Sequence, residues 1–141
     1  MNIYFSCSIT GGRKEQPVYQ QLVEALLEDG HIVPTAHLSD DRILYLEKVV
    51  DPGDIYQRDV DWLTGCDALV AEISTPSHGV GYEIAMAEAL GKPIFCCYQK
   101  GIHVSKMILG NPSPLFHFCC YSTVEEAVRD MKVFLTTVCR E

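Results

Sequence analysis

The sequence is poor in positive charge. Eleven lysine and arginine residues stand against 19 acidic residues, which gives a formal net charge of −8. A surface of this sign repels a polyanion, so the composition argues against a protein that wraps DNA or RNA. It does not exclude a single nucleotide, because backbone amides at a helix N-terminus hold one phosphate without net positive charge.

Metal-ligand spacing and long apolar runs are also missing. The seven cysteines include no Cys-x-x-Cys pair, so we expect small buried side chains in a reducing compartment, not zinc ligands or disulfides. No basic segment followed by an apolar stretch opens the chain, and no apolar run is long enough to cross a bilayer. We therefore expect a cytosolic or nuclear protein without a membrane anchor.

Short apolar runs alternate with helical patterns along the 141 residues, a length that fits one domain covering 1–141. The apolar runs predict five strands, over residues 2–6, 31–35, 68–73, 93–98 and 115–121. Helical spacing predicts helices over 14–29, 54–64, 81–90, 102–109 and 124–138, and Ser122 is a candidate N-cap for the last of them. The helical pattern over residues 36–53 is weak. Strand–helix alternation predicts an α/β fold with a five-stranded parallel sheet covered on both faces.

Ligands of an open parallel sheet bind beyond the carboxyl ends of its strands. The loop after the first predicted strand reads Cys7-Ser8-Ile9-Thr10-Gly11-Gly12-Arg13. Its two glycines let the backbone turn tightly, and the start of the next helix offers unpaired amides that suit a phosphate. The loop is neither a dinucleotide fingerprint nor a Walker loop, and an ordinary strand-to-helix turn also accounts for it.

Two carboxylates near the same predicted edge could carry chemistry. Glu83 follows the loop of residues 74–81 and falls where its helix turns apolar, although a first-turn carboxylate also complements a helix dipole. Asp59 is the second candidate, and Asp61 is its rival, because residues two apart on a helix point in different directions. Paired carboxylates are typical of glycoside hydrolysis, where one attacks the anomeric carbon and one handles protons. The alternative is that both aspartates are solvated surface charges.

Several short segments, in this order and spacing, resemble the 2'-deoxynucleoside 5'-phosphate N-hydrolases of the nucleoside 2-deoxyribosyltransferase superfamily. They are Ile3-Tyr4-Phe5, Ser8-Ile9, Gly11-Gly12-Arg13, Asp59 with Trp62-Leu63, Ala71-Glu72, Pro76-Ser77, Gly79-Val80-Gly81-Tyr82-Glu83 and Gly91-Lys92-Pro93-Ile94. The resemblance implies a flavodoxin-like, three-layer sandwich and a homodimer with composite active sites. It also implies hydrolysis of the N-glycosidic bond of 2'-deoxynucleoside 5'-monophosphates, without a metal or an organic cofactor.

The resemblance assigns catalytic roles to three residues. Glu83 attacks C1' of the deoxyribose, the base leaves, and water then releases deoxyribose 5-phosphate. Asp59 sits beside the nucleophile and helps with positioning and proton transfer. Tyr4 lies near the sugar and is associated with a preference for deoxyribose over ribose.

The resemblance also implies a set of substrate-binding residues. They are Cys7, Ser8, Ile9, Thr10, Gly11, Gly12, Arg13, His37, Ser77, Gly79, Ser105 and Met107. His37 corresponds to a histidine near the base pocket. Ser77, with the amides around Gly79 and the first loop, holds the 5'-phosphate, and Ser105 reaches the phosphate from the neighbouring subunit.

The first loop departs from the family pattern Cys-Gly-Ser-Ile-Arg. Cys7 stands in place of a glycine, and Thr10 in place of an arginine that lies over the base. The carboxylates are intact, so we expect the reaction to be kept and leave the nucleobase open. Three alternatives remain: a transferase that hands deoxyribose to a second base, a cytidine monophosphate N-glycosidase, which Tyr4 disfavours, and a non-catalytic nucleotide sensor.

Overall fold

The computed structural model of the chain describes residues 1–140, apart from the side chain of Leu46. Its strands are β1 (Ile3–Ser6), β2 (Ala68–Glu72), β3 (Ile94–Gln99) and β4 (Phe116–Tyr121). Its helices are α1 (Gln16–Glu28), α2 (Ile43–Glu47), α3 (Pro52–Gly65), α4 (His78–Ala89), α5 (Lys106–Leu109) and α6 (Val124–Val138), with a 3-10 helix at Ala36–Ser39. The strands pair in parallel in the order β1-β2-β3-β4. The predicted α/β fold with a parallel sheet is confirmed.

The predicted number of strands is wrong. Within residues 1–140 the sheet has four strands, and the segment predicted as a strand over 31–35 contributes only an isolated bridge between Ile32 and Asn2. Pro34 stops the ladder because proline has no N–H to donate. The hydroxyl of Thr35 then accepts the N–H of Phe5 at 2.8 Å, in place of a backbone carbonyl.

The sheet separates two apolar cores. Neighbouring strand residues point to opposite faces, so Ile3 and Phe5 pack on one side with α1 and α6, while Tyr4 packs on the other side with α3 and α4. Both faces of the sheet are therefore covered, which gives the three layers of the fold. None of the helices in residues 1–140 combines the length and the apolar character needed to cross a membrane.

The start of α6 differs by one residue from the prediction. Its N-cap is Thr123, not Ser122. The hydroxyl of Thr123 accepts the N–H of Glu126, and the carboxylate of Glu126 accepts the N–H of Thr123 at 3.2 Å. This reciprocal capping box satisfies two amides, which a cap at Ser122 would not do.

The cysteines are free thiols. All seven are unbonded, and Cys120 and Cys139 are exposed, whereas the other five are buried. The prediction of small buried side chains is therefore confirmed for five of the seven and wrong for these two.

Two loops meet at the carboxyl ends of β1 and β2. A Cβ added to Gly11 would collide with the carbonyl oxygen of Pro76, so the first loop can pack this closely only with a glycine there. Gly12 has φ of +123°, a backbone conformation that disfavours other residues. The hydroxyl of Thr75 donates to the buried carboxylate of Glu15 at 2.5 Å and ties the second loop to the start of α1.

Candidate active site

Glu83 lies in the second turn of α4 with both carboxylate oxygens in hydrogen bonds. The hydroxyl of Tyr4 donates to Oε1 at 2.8 Å, and the hydroxyl of Ser6 donates to Oε2. Tyr4 and Ser6 are two residues apart in β1, so both project from the same face of the sheet toward α4. The strand therefore holds the carboxylate in a fixed orientation.

The surroundings of Glu83 make its charge sensitive to pH. Burial raises the pKa of Glu83 to about 7, and the negative charge of Asp59 adds to the rise, whereas the hydrogen bonds from Ser6 and Tyr4 oppose it. Near neutral pH the side chain is therefore present in both protonation states. Burial and the Glu83 carboxylate raise the pKa of Tyr4 well above its usual range, so the phenol stays protonated and donates.

The Glu83 carboxylate lines a cavity of about 420 Å³. This volume falls within the range of about 300–1,000 Å³ that is typical of small-molecule sites. Apolar side chains from four segments supply part of the lining: Ile9, Leu38, Leu44 and Ile55. Two further carboxylates, Asp59 and Glu47, also line the cavity. The arrangement suits a ligand with a flat apolar part and a group that reacts with a carboxylate.

Arg58 connects the two additional carboxylates. Its Nε donates to Oδ1 of Asp59 at 2.8 Å, and its Nη2 donates to Oε1 of Glu47 at 3.1 Å. Its guanidinium carbon lies 4.9 Å from the centre of the Trp62 ring. Burial alone would lower the pKa of Arg58, but the hydrogen bonds to Asp59 and Glu47 raise it, so the cation persists between them.

The N-terminus of α4 borders the same cavity. Ser77 is the N-cap, and its hydroxyl accepts the N–H of Val80 at 3.4 Å. Ser77, Gly79 and Val80 all line the cavity beside Glu83. A helix start of this kind presents unpaired amides and the positive end of the helix dipole, which suit a phosphate.

Three residues of the first loop, Cys7, Ile9 and Thr10, line the cavity. Burial raises the pKa of Cys7 to about 12, and its thiol donates to the carbonyl of Leu38 at 3.6 Å. The thiol is therefore neutral and serves as a wall of the cavity, not as a nucleophile.

The other predicted residues of this loop lie outside the cavity lining. Ser8 is fully buried, and its hydroxyl has no partner among residues 1–140. Arg13 donates to the carbonyls of Ser8 (3.3 Å), Leu38 (2.8 Å) and Asp40 (2.9 Å), and so joins the loop to the segment around the 3-10 helix. Gly11 and Gly12 set the path of the backbone.

His37 and the residues of α5 also lie outside the lining of the Glu83 cavity. The His37 ring packs edge-on against the Trp62 ring, with 5.7 Å between the ring centres, and its Nε2 lies 3.9 Å from Oε1 of Glu47. Ser105 and Met107 line a separate cavity of about 630 Å³, which has Ser77 and Val80 in common with the first. Within one chain, the structure therefore does not bring Ser105 and Met107 together with Glu83.

Another buried carboxyl group, Glu72, lies at the end of β2 outside the cavity. The hydroxyl of Ser74 donates to it, and the hydroxyl of Tyr121 donates to it at 2.9 Å. Burial raises the pKa of Glu72 to about 7, against the effect of these hydrogen bonds. Its contacts join the ends of β2 and β4.

Several residues at the site are not among those predicted from the sequence, and three of them, Ser6, Glu47 and Arg58, make side-chain hydrogen bonds there. The strand period would have found Ser6, because it lies two residues after Tyr4. Glu47 and Arg58 have no comparable signal, since their contact depends on how two helices pack. Within residues 1–140, no cluster of three or more histidine, cysteine, aspartate or glutamate side chains could hold a metal ion.

The chain is similar to a known protein family, to individual relatives and to a solved structure. The profile of the family described as nucleoside 2-deoxyribosyltransferase matches residues 3–125. The 5-hydroxymethyl-dUMP N-hydrolase of Danio rerio is 42% identical over 130 residues, covering 89% of this chain and 90% of the relative. The Rattus norvegicus protein of the same name is 42% identical over 113 residues, covering 77% and 69%. The solved structure of the Clostridium botulinum CMP N-glycosidase has a TM-score of 0.72 at 22% identity, covering 94% of this chain and 98% of the other, and supports the fold.

Proposed function

Because the chain belongs to the nucleoside 2-deoxyribosyltransferase family, we propose that it hydrolyses the N-glycosidic bond of 2'-deoxynucleoside 5'-monophosphates. The products are a free nucleobase and 2-deoxyribose 5-phosphate. The observation that carries the proposal is the Glu83 carboxylate, held by Tyr4 and Ser6 in a cavity that also contains a helix N-terminus. The names of the relatives support cleavage of this bond.

The cavity offers a separate place for each part of a nucleotide. The phosphate binds at the start of α4, where Ser77 and the amides near Gly79 line the cavity. The sugar then lies over Glu83, further along the same helix. The base packs on the apolar side chains from the first loop and from the segment after the 3-10 helix. Binding the phosphate at one end orients C1' against the carboxylate at the other.

The reaction proceeds in two steps. An oxygen of Glu83 forms a bond to C1' while the bond between C1' and the base nitrogen breaks, and its electron pair goes to the base, which takes a proton from solvent. Asp59 then accepts a proton from a water molecule as that water attacks C1'. The ester bond to Glu83 breaks, and 2-deoxyribose 5-phosphate leaves with the nucleophile restored.

Tyr4 and Asp59 both support this chemistry. The buried hydroxyl of Tyr4 fills the space beneath the carboxylate, which fits a sugar that lacks a 2'-hydroxyl. The Asp59 carboxylate, held by Arg58, adds negative charge next to C1', where positive charge develops in the transition state. Both groups therefore act on the sugar and not on the base.

Base release from a panel of deoxy- and ribonucleoside 5'-monophosphates tests the proposal, with free base measured by chromatography. We expect turnover of one or more deoxynucleotides by the wild-type chain and loss of at least about a thousandfold in Glu83→Gln, which keeps the shape of the side chain. Near-normal turnover by Glu83→Gln would remove this residue from the mechanism. Addition of a free acceptor base distinguishes hydrolysis from transfer of deoxyribose.

We also propose that the active unit is a homodimer in which Ser105 reaches the phosphate in the neighbouring site. Its distance from the Glu83 cavity within one chain and the exposure of Met107, at 85%, support this arrangement. Glu83→Gln and Ser105→Ala subunits, mixed and allowed to exchange, should form one intact site per heterodimer. Activity of the mixture above that of Ser105→Ala alone is expected, and no gain would contradict an action across subunits.

We further propose a cytosolic or nuclear location and no binding to nucleic acid. The seven free cysteines and the net charge of −8 support these two points. Imaging of the tagged chain and a DNA-binding titration at low salt would test them.

A further inference from the structure

The cavity contains a carboxylate that the proposed mechanism does not use. Glu47, at the end of α2, lines the cavity, and 16% of its side chain is exposed. Its Oε1 accepts the hydrogen bond from Arg58 at 3.1 Å. No hydrogen bond within residues 1–140 engages Oε2. One oxygen is thus anchored to the protein, and the other can meet a ligand.

The contacts of Arg58 indicate which part of the ligand Glu47 would meet. The same guanidinium holds Glu47 through Nη2 and Asp59 through Nε, so the two carboxylates lie within the span of one planar group. Asp59 flanks C1', the atom that carries the base. In the proposed orientation the phosphate occupies the start of α4 at Ser77, so Glu47, which Arg58 holds beside Asp59 in the same cavity, remains available to the base.

A carboxylate accepts hydrogen bonds and cannot donate them. We propose that Glu47 determines nucleobase specificity, its Oε2 accepting a hydrogen bond from a donor at the base edge. The donor is an exocyclic amino group, as on cytosine, or the hydroxyl of a 5-hydroxymethyl group. A carbonyl or a methyl at the same place leaves the carboxylate without a partner or repels it. The inference rests on the proposed function, since it requires a nucleotide in this cavity.

A purely structural role for Glu47 predicts different behaviour. If Glu47 only anchored Arg58, its loss would disturb Asp59 and slow every substrate by the same factor. If it contacts the base, its loss changes the ratio between substrates. The ratio of kcat/KM values within a pair that differs by one group therefore separates the two roles.

The experiment measures kcat/KM for two matched pairs, dCMP against dUMP and 5-hydroxymethyl-dUMP against dTMP. The wild-type chain should prefer the donor-bearing member of one pair by about ten- to hundredfold, and that pair identifies the donor. Glu47→Gln should bring this ratio to within about threefold of one, because an amide can accept a hydrogen bond from one member of the pair or donate one to the other. Arg58→Met is the matched control: it removes the anchor but leaves a carboxylate at position 47, so it should slow all four substrates and keep a preference.

Two outcomes would overturn the inference in different ways. If the wild-type chain turns over these substrates and Glu47→Gln leaves the kcat/KM ratios unchanged, Glu47 has no role in specificity. The proposed hydrolysis would then remain intact. Absence of base release from all four substrates refutes the proposed function and this inference with it.

Discussion

The hydrogen bond from Ser6 to Glu83 should set the pH at which the enzyme becomes active. In the proposed mechanism Glu83 must be ionised to attack C1', and burial raises its pKa to about 7. Below that pH the protonated fraction grows, so kcat/KM of the wild-type chain should fall about tenfold for each further pH unit. Ser6→Ala removes a donor that favours the ionised form, and the acid limb should therefore move to higher pH.

The size of the shift follows from the strength of such a bond. A hydrogen bond to a charged group contributes about 1.5–3 kcal/mol, and one pH unit corresponds to 1.36 kcal/mol, so the limb should move up by about one to two units. At pH 6 the variant should be slower than the wild-type chain by about ten- to hundredfold. At pH 10 most of the Glu83 side chain is ionised in both proteins, so the two rates should approach each other.

The assay is kcat/KM for base release over the range from about pH 5 to about pH 10. Ser113→Ala is the matched control: it makes the same substitution in the loop before β4, where the hydroxyl accepts the N–H of Leu115 outside the cavity. The substrate phosphate also titrates near pH 6, but a limb that it causes stays in place when Ser6 changes. A uniform loss of rate in Ser6→Ala with an unmoved acid limb would refute the reasoning.

Three further predictions follow from single contacts. We propose that the Ser77 hydroxyl and the amides near it bind the phosphate. Ser77→Ala should therefore raise KM for phosphorylated substrates about tenfold and leave unphosphorylated nucleosides unaffected, and equal weakening of both classes would contradict this. Gly11→Ala should lower the thermal stability and the activity, because the added Cβ would collide with Pro76. Gly65→Ala is the control: nothing lies within 4 Å of the added Cβ, so activity should be unchanged and stability should rise by up to about 1 kcal/mol. Burial raises the folded-state pKa of Glu72 from 4.5 to about 7, so the folded chain binds the proton more tightly, and this stabilisation is lost as pH rises through 7. Burial raises the pKa of Glu83 in the same way, so both groups contribute to the loss of stability that urea unfolding measures between pH 5 and pH 8. Glu72→Gln should reduce that loss by up to about 3 kcal/mol, and an equal loss in both proteins would refute the assignment.

The sequence predicts the sheet well where a strand lies between two helical layers. β2 and β3 are almost wholly apolar because both of their faces are buried, and a short apolar run of this kind is typical of a central parallel strand. The edge segment over 31–35 carries the same apolar signal but forms only one bridge. The missing strand depends on Pro34 and on the hydroxyl of Thr35, whose effect becomes visible only once β1 lies beside them.

The candidate site also has one part that the sequence predicts and one part that it does not. Glu83 and the two loops beside it follow strand ends, so their closeness is predictable from the topology of a parallel sheet. The sequence also predicts that Arg13 binds substrate, and a positive charge beside two glycines does favour that interpretation. Its guanidinium has three carbonyls as partners, two of which come from a segment with no clear sequence pattern, and binding of substrate by Arg13 stays a prediction. Long-range partners of this kind decide which way a side chain points.

The charge distribution in the cavity explains how an acidic protein could bind and cleave an anionic substrate. The carboxylates of Glu47 and Asp59 share the cation of Arg58, and Glu83 is only partly ionised near neutral pH. A phosphate at Ser77 meets the positive end of a helix instead of these carboxylates. In the proposed mechanism, positive charge develops at C1' as the base leaves, and Asp59 and the ionised Glu83 stabilise it there. Each part of the substrate thus meets the sign of charge that it needs, and the local arrangement outweighs the net charge of −8.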